Sequence, residues 1–529
     1  MWSAVATSKW TRRLQIVALP ILVSIPVLLV ITAVRQGIAL DWDAVVYLSA
    51  ADSYAVSGRL IDFRGIELTT FAPGLPVLEG VLMRLGAEPN AIGLGLGLSS
   101  VLVVGLGTFA VSRWVLRPAA LALVPVAVVC LSVSTVRVSS YLKTDAPFSA
   151  LMMIVAVLCL WAIRERRSPW WWILAVGLTA SVATSMRYIG FVLIPTVAVA
   201  VVLAHRDKLR RTGPVSTVVR VAVLAGIGGA VSGVGLAAVA FRNHSLGAPA
   251  LGLRRPSGLS LPDVLGDLTG VLGAYVVPAV QPALPQQLLG LTVVALVGLG
   301  AVVALILRSA EGAWLAILVT GYLVALIYSE INTVIQPVSE RLMAPVFPYV
   351  VILVTVALTW LGRRLASGQA HRALGSPGGT SVATMTCLAA FVALLCVTGS
   401  ASVSFATTAM RKGIGYNSVA AQNSPTRSAI KQLPTDAGLA GMNGPSIYLA
   451  VRRGPIQTVP WINYYNRGST APKVDRLKVL VEAGRVDYIV YFNRDRRAKV
   501  VTAKQLKAAG LELQRVGDFR DGEIWRAVG

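Results

Sequence analysis

The chain is poor in the side chains that most enzymes use for acid–base and metal chemistry. Its 529 residues include only four cysteines and three histidines, and charged residues make up 14% of the total. Cys130, Cys159, Cys387 and Cys396 all fall inside apolar runs, at neither disulfide nor zinc spacing, so they read as core-packing thiols. His205, His244 and His371 are scattered, which argues against a histidine metal centre or a Ser/His hydrolase. Acids are half as numerous as bases, 24 against 48, for a formal net charge of +24. Such an excess can signal nucleic acid. Here much of it sits at the ends of apolar runs, where anionic lipid is the nearer partner. There is no glycine-rich loop of the kind that cradles a nucleotide phosphate, and no internal repeat. Carboxylates must therefore carry any chemistry.

What the chain does have is apolar length. With 55% hydrophobic residues, a soluble fold would not have enough interior to hide them, so the solvent for most of the chain is lipid. A bilayer core asks for about 20 mostly apolar residues per crossing helix, and about eleven stretches qualify. They run from Leu14 to Val34, Ala91 to Val111, Ala119 to Val136, Pro147 to Ile163, Trp170 to Thr184 and Ile189 to Ala204. The series continues from Val215 to Phe241, Leu288 to Leu307, Ala313 to Tyr328, Ala344 to Leu361 and Ser381 to Val403. Lys and Arg concentrate before the first run and in alternate short loops, for example Arg164, Arg166 and Arg167, then Arg206, Lys208, Arg210 and Arg211. The positive-inside rule makes the N-terminus cytoplasmic, and an odd number of crossings puts the tail outside, as in a multi-pass plasma-membrane protein. The first run is too long for a signal peptide and lacks a cleavage site before Arg35, so it reads as a retained anchor.

The expected organisation is a polytopic α-helical membrane protein with a C-terminal soluble α/β domain. The transmembrane body occupies 1–405, with long outer loops at 35–90 and 242–287. In the tail, 408–529, short strands alternate with helices: "AGLAGMN", "IQTVP" and "VDYIVYF" as strands, "GPSIYLAVRRG", "VDRLKVLVEAG" and "TAKQLKAAG" as helices. A closing hairpin, "LELQRVGDF" and "GEIWRAV", completes a small sheet with a largely parallel centre. The basic tail suits an anionic wall polymer or lipid headgroups, or simply solvent.

Four charged sites fall on the outer face. In "DWDAVVYLSAADSYAVSG", Asp43, Tyr47, Ala50 and Tyr54 make one helical stripe just past the first crossing, with Asp41 beside it. In "SSYLKTDAPFSALMM", Asp145 precedes Pro147 at the outer start of the fourth crossing, where a carboxylate also suits a helix N-terminus. "SMRYIG" puts Arg187 and Tyr188 between crossings five and six, and "SERLMAPVFP" puts Glu340 and Arg341 at the mouth of the tenth. Any one of them has a structural explanation as a cap or a solvated charge. Charges next to hydrocarbon are costly and tend to face a water-filled cavity or each other, so four on one face point to a shared pocket.

These residues, together with the "FAPGLP" elbow, "TDAPFSAL", "RYIGFVLIP" and "ERLMAPVFP", resemble the polytopic GT-C glycosyltransferases. Within that superfamily the chain looks most like the family of protein O-mannosyltransferases and bacterial aminoarabinose transferases. The tail, with its "MNGPSIYLAVRRG" turn, is similar to the outward-facing domain that many actinobacterial members append. One departure is "DWDA", where such members often have an Asp-Glu pair.

The resemblance implies inverting transfer of a hexose or pentose, as in mannosyl- and arabinosyltransferases, from a polyprenyl-phosphate donor to a glycan, lipid or protein hydroxyl outside the cell. Asp43 is the candidate general base, with Asp41 as substitute or partner, because an alcohol attacks well only once a carboxylate takes its proton. Arg341 and Arg187, with Lys143, Arg254 and Arg255, are candidates to hold the leaving phosphate. Tyr47, Tyr188 and Glu340 are candidates for substrate contact. Asp145 would orient the acceptor or, with Asp43, hold a divalent cation such as Mg or Mn. The rival reading is a lipid or solute transporter of the envelope, although transporters tend to bury their ionisable groups near the midplane in repeated halves.

Overall fold

The computed structural model describes residues 9–116, 119–211, 215–252, 257–276, 283–307, 309–333, 338–366, 379–459, 471–493 and 500–528. They form two compact units, one of Met1–Ala33, Thr69–Gly74 and Gly93–Thr408, the other of Val34–Leu68, Leu75–Ile92 and Ala409–Gly529. Most of the segment 35–90, read from the sequence as a loop of the membrane body, thus groups with the tail.

The first unit is helical. Among the described residues, eight helices are long and apolar enough to cross a bilayer: Arg13–Ala33, Pro89–Val115, Asp145–Glu165, Val215–Ser245, Gln286–Ile306, Ala310–Asn332, Phe347–Arg364 and Phe391–Lys412. Trp170–Met186 and Tyr188–Ala204 are shorter apolar helices, at the places of the fifth and sixth expected crossings. The third expected crossing is a bent pair, Ala120–Leu131 and Val133–Ser139, turned by 55°. A break at apolar depth leaves carbonyls without helical donors, and such groups need other partners. Here the Ser402 hydroxyl donates to the Leu131 carbonyl at 2.7 Å and the Thr135 hydroxyl to the Val129 carbonyl at 2.8 Å. The bend therefore leaves Ser134 and Arg137 on a helical segment of their own.

Asp145–Glu165 is the most buried of the long helices. Phe148, Met152, Val155, Ala156 and Cys159 recur at helical spacing and are fully buried in the main core, with Trp172, Leu193, Trp314 and Tyr349 from its neighbours. On Arg13–Ala33, by contrast, Leu14, Ile16, Val17, Ile21 and Leu28 are exposed, the pattern of a lipid-facing surface rather than of a misfolded core.

The second unit contains a five-stranded sheet, β1 Leu439–Gly441, β2 Ile456–Gln457, β3 Tyr488–Phe492, β4 Leu513–Phe519 and β5 Gly522–Ala527, in the order β2-β1-β3-β5-β4. Pairing is parallel between β1 and both β2 and β3, and antiparallel through β3, β5 and β4. Each strand lies within a segment that the sequence marks as strand. Three further helices carry the argument below: α1 Trp42–Ser57, α2 Gly74–Arg84 and α3 Gly444–Val451, the last packed on β1, β2 and α1. α1 starts on an Asp41 cap, whose carboxylate accepts from the Ala44 amide at 3.1 Å, and stops at Gly58 in the left-handed conformation. Ala44 to Ala51 are all buried, including both Tyr47 and the residues on the opposite face.

Candidate functional site

Asp145 opens its helix, where the first-turn amides favour a carboxylate. Its side chain is 1% exposed, and a buried charge requires partners. Arg187 Nη1 donates to Oδ1, and Arg341 Nε donates to Oδ2 at 3.2 Å. Arg187 occupies the extended junction between Trp170–Met186 and the short turn Tyr188–Val192, which frees its side chain from either helix. Its guanidinium lies 5.8 Å from the centre of the Phe148 ring, one turn along from Asp145. Lys143 is buried too, its ammonium 5.0 Å from the Tyr141 ring centre, and it is near enough to act electrostatically on Asp145.

The neighbouring residue of Arg341 extends the network. Glu340 Oε2 accepts from Arg137 Nη1 at 2.9 Å and from Ser134 Oγ at 2.7 Å. Tyr275 donates to the Glu340 carbonyl at 2.7 Å while its ring stacks on Phe347 with centres 4.1 Å apart. Burial, reinforced by the Glu340 charge, pushes the Tyr275 phenol well above its ordinary range, so it remains a neutral donor. Tyr322 donates to the Leu342 carbonyl, just past the arginine. The cluster thus gathers four cations, Arg137, Lys143, Arg187 and Arg341, around two carboxylates. Its surplus of positive charge, centred on the buried Asp145 and Lys143 with Arg137 at the more exposed edge, suits an anionic group.

Arg137 was not anticipated. Its signal was present, a lone charge at the end of an apolar run, but an unbroken crossing left no reason to aim it at Glu340. Of the other expected site residues, Tyr188 binds the framework: its hydroxyl donates to the Thr69 carbonyl at 2.9 Å and accepts from Asn243 Nδ2 at 3.1 Å. Asp41, Asp43 and Tyr47 lie on or next to α1 in the second unit, Asp41 as its cap and Asp43 in its first turn. Tyr47 is buried. Arg254 and Arg255 lie outside the described residues.

Both Asp145 oxygens are engaged by guanidinium groups, and among the described residues no three His, Cys, Asp or Glu side chains gather as metal ligands. In the second unit a cavity of about 510 Å³ is lined by Asn90, Asn417, Gln422, Arg427 and Lys431, and another of about 310 Å³ by Asp52, Phe63, Tyr448 and Arg452. Their main polar walls are already paired: Arg427 donates to the Tyr416 and Ala421 carbonyls, and Arg452 to Asp52.

Neither a protein-family model nor a curated protein matches the sequence. Solved structures do. ArnT from Cupriavidus metallidurans, bound to undecaprenyl phosphate, superposes with a TM-score of 0.58 at 16% identity, over 96% of this chain and 98% of that one. The archaeal oligosaccharyltransferase AglB from Archaeoglobus fulgidus, in complex with an inhibitory peptide and a dolichol-phosphate, gives a TM-score of 0.53 at 12% identity, over 90% and 70%. ArnT and AglB are membrane glycosyltransferases of the GT-C superfamily, and the chain is similar to them in fold over most of its length.

Proposed function

We propose that this protein is a membrane glycosyltransferase that moves one sugar from a polyprenyl-phosphate donor to an acceptor hydroxyl on the outer face of the plasma membrane. The observation that carries the reading is the buried Asp145 between Arg187 and Arg341, within a cluster that holds more cations than carboxylates. A fold shared with a protein that binds undecaprenyl phosphate supports the choice of donor.

In this reading Asp43 takes the acceptor proton, with Asp41 as its alternative. The acceptor oxygen forms a bond to the anomeric carbon as the bond from that carbon to the phosphate oxygen breaks, with inversion. The lipid phosphate leaves with the electron pair. General-base assistance of this kind contributes about 10²- to 10⁴-fold. Arg187 and Arg341 stabilise the growing phosphate charge, helped by Lys143 and Arg137, while Asp145 holds the two guanidiniums in a fixed orientation that water need not reorganise. No step is assigned to a metal.

Purified protein in lipid nanodiscs, given radiolabelled polyprenyl-phosphate mannose and arabinose with envelope extracts as acceptors, tests the proposal. Transfer of label to acceptor, lost in Asp43→Asn or in Arg341→Gln, is the expected result. Absence of turnover with every donor would refute it, and movement of intact donor between leaflets without cleavage would favour the transporter.

A further inference from the structure

α1 carries the proposed base in its first turn, and its placement is set largely by the C-terminal part of the same unit. On the lead-in to the helix, the Tyr416 amide donates to the Leu40 carbonyl at 2.7 Å and Asn417 Nδ2 to the Ile38 carbonyl at 2.8 Å. Gly415 pairs with Leu40 so closely that a Cβ there would stand 2.0 Å from the Leu40 oxygen. Toward the other end, the Asp52 carboxylate accepts from the Tyr448 hydroxyl and, at 2.8 Å, from Arg452 Nη2. Between the two ends, Phe63 has its ring centre 5.5 Å from that of Trp42 and 6.0 Å from that of Tyr448, and its amide donates to Ser49 Oγ at 3.0 Å. Residues 415–417 therefore hold the lead-in to the helix and residues 448–452 its far side.

Helix geometry gives this grip its meaning. Asp43 and Asp52 are nine residues apart, which is about 13.5 Å along the axis and about half a turn around it. The α3 residues hold the face opposite Asp43 and need not touch anything that Asp43 touches. Restraining the far face of a rigid helix fixes the rotation and height of the near one.

We propose that Tyr448 and Arg452, acting through Asp52, are positioning residues that aim the Asp43-bearing helix, so that sugar transfer depends on the C-terminal domain. This rests on the reading of Asp43 as the base. Misplacement of a reacting group by about 1 Å can cost about 10²-fold in rate, and loosening one of two grips should cost less, about tenfold.

The experiment uses the full chain in nanodiscs with labelled polyprenyl-phosphate sugar and measures kcat and donor KM separately. Asp52→Asn, Arg452→Ala and Tyr448→Phe are expected to lower kcat about tenfold with donor KM within about twofold of wild type, and the exchange Asp52→Arg with Arg452→Asp is expected to recover most of the rate. Unchanged kcat in these variants, a parallel change in kcat and KM, or no recovery in the exchange would overturn the proposal. If the charge variants do not fold, Tyr448→Phe, which removes one hydroxyl, decides by the same readout. Asp43→Asn, run alongside, separates the two ideas: inactive Asp43→Asn with wild-type Tyr448→Phe and Asp52→Asn sinks only the positioning role, whereas wild-type activity in both Asp43→Asn and Asp41→Asn sinks the base.

Discussion

Asp145→Asn is the most informative single change, because it removes one charge and almost no volume. Asp145 is 1% exposed and Arg341 is 27% exposed, so the pair is only partly screened by solvent. At 3.2 Å and an effective dielectric of about 20, one such charge pair corresponds to about 5 kcal/mol of attraction before desolvation. Removing one member of a buried pair typically costs about 3–5 kcal/mol, since the partners remain buried and unneutralised. Here the partners left behind would be two arginines with Lys143 nearby, so mutual repulsion adds to the loss. In a chain of this size the cost should appear as a fall in Tm of about 3–10 °C by fluorescence in detergent. Donor turnover should fall as well, because the guanidiniums lose the group that orients them. Double-mutant cycles with Arg187→Gln and Arg341→Gln should show coupling of about 0.5–3 kcal/mol. Strictly additive effects, or an Asp145→Asn protein with wild-type Tm and turnover, would refute the claim that this carboxylate organises the cluster.

Other consequences are equally open to measurement. Glu79, on α2, is 1% exposed, and among the described residues neither carboxylate oxygen has a hydrogen-bond partner. Burial, and after it the nearby Asp52 charge, raises its pKa well above the ordinary range. A group raised on folding contributes stability that is whole below its unfolded pKa and is lost as pH rises through its folded one, so Glu79→Gln should match wild type in Tm near pH 4 and exceed it at alkaline pH. Identical Tm–pH curves would contradict this. Gly415→Ala, at φ +59° and against the Leu40 carbonyl, should cost about 1–3 kcal/mol or more, read as a lower Tm. Arg137→Gln leaves Glu340 with Ser134 and strips one cation from the cluster, so donor KM should rise about tenfold, equivalent to about 1.4 kcal/mol, with a smaller change in kcat. An unchanged KM would remove Arg137 from donor binding.

Parts of the site were legible because they obey local rules. "TDAP" marks a carboxylate at a helix start, "SMRYIG" an arginine at a break between two apolar runs, and "SERLM" another at the mouth of a third, and a charge at such a place must find company. Arg137 was hidden because only the 55° bend after Leu131 gives it a direction, and that bend depends on Ser402, some 270 residues later, to satisfy the carbonyl it exposes. The Asp52–Tyr448–Arg452 contact was hidden for a similar reason: its two sides lie far apart in sequence.

By itself, then, the order of residues determined that lipid is the main solvent, where the apolar helices lie, which termini of those helices bear charge, and that the tail alternates strand with helix. Those properties follow from hydropathy and periodicity over windows of a few turns. Tertiary structure alone decided which charges meet, with Asp145 drawing arginines from two distant segments and Glu340 drawing a third. It also decided that the segment bearing Asp43 groups with the C-terminal sheet in one compact unit. Pairings of that kind rest on desolvated ion pairs and hydrogen bonds between residues tens to hundreds of positions apart, and no local pattern encodes them.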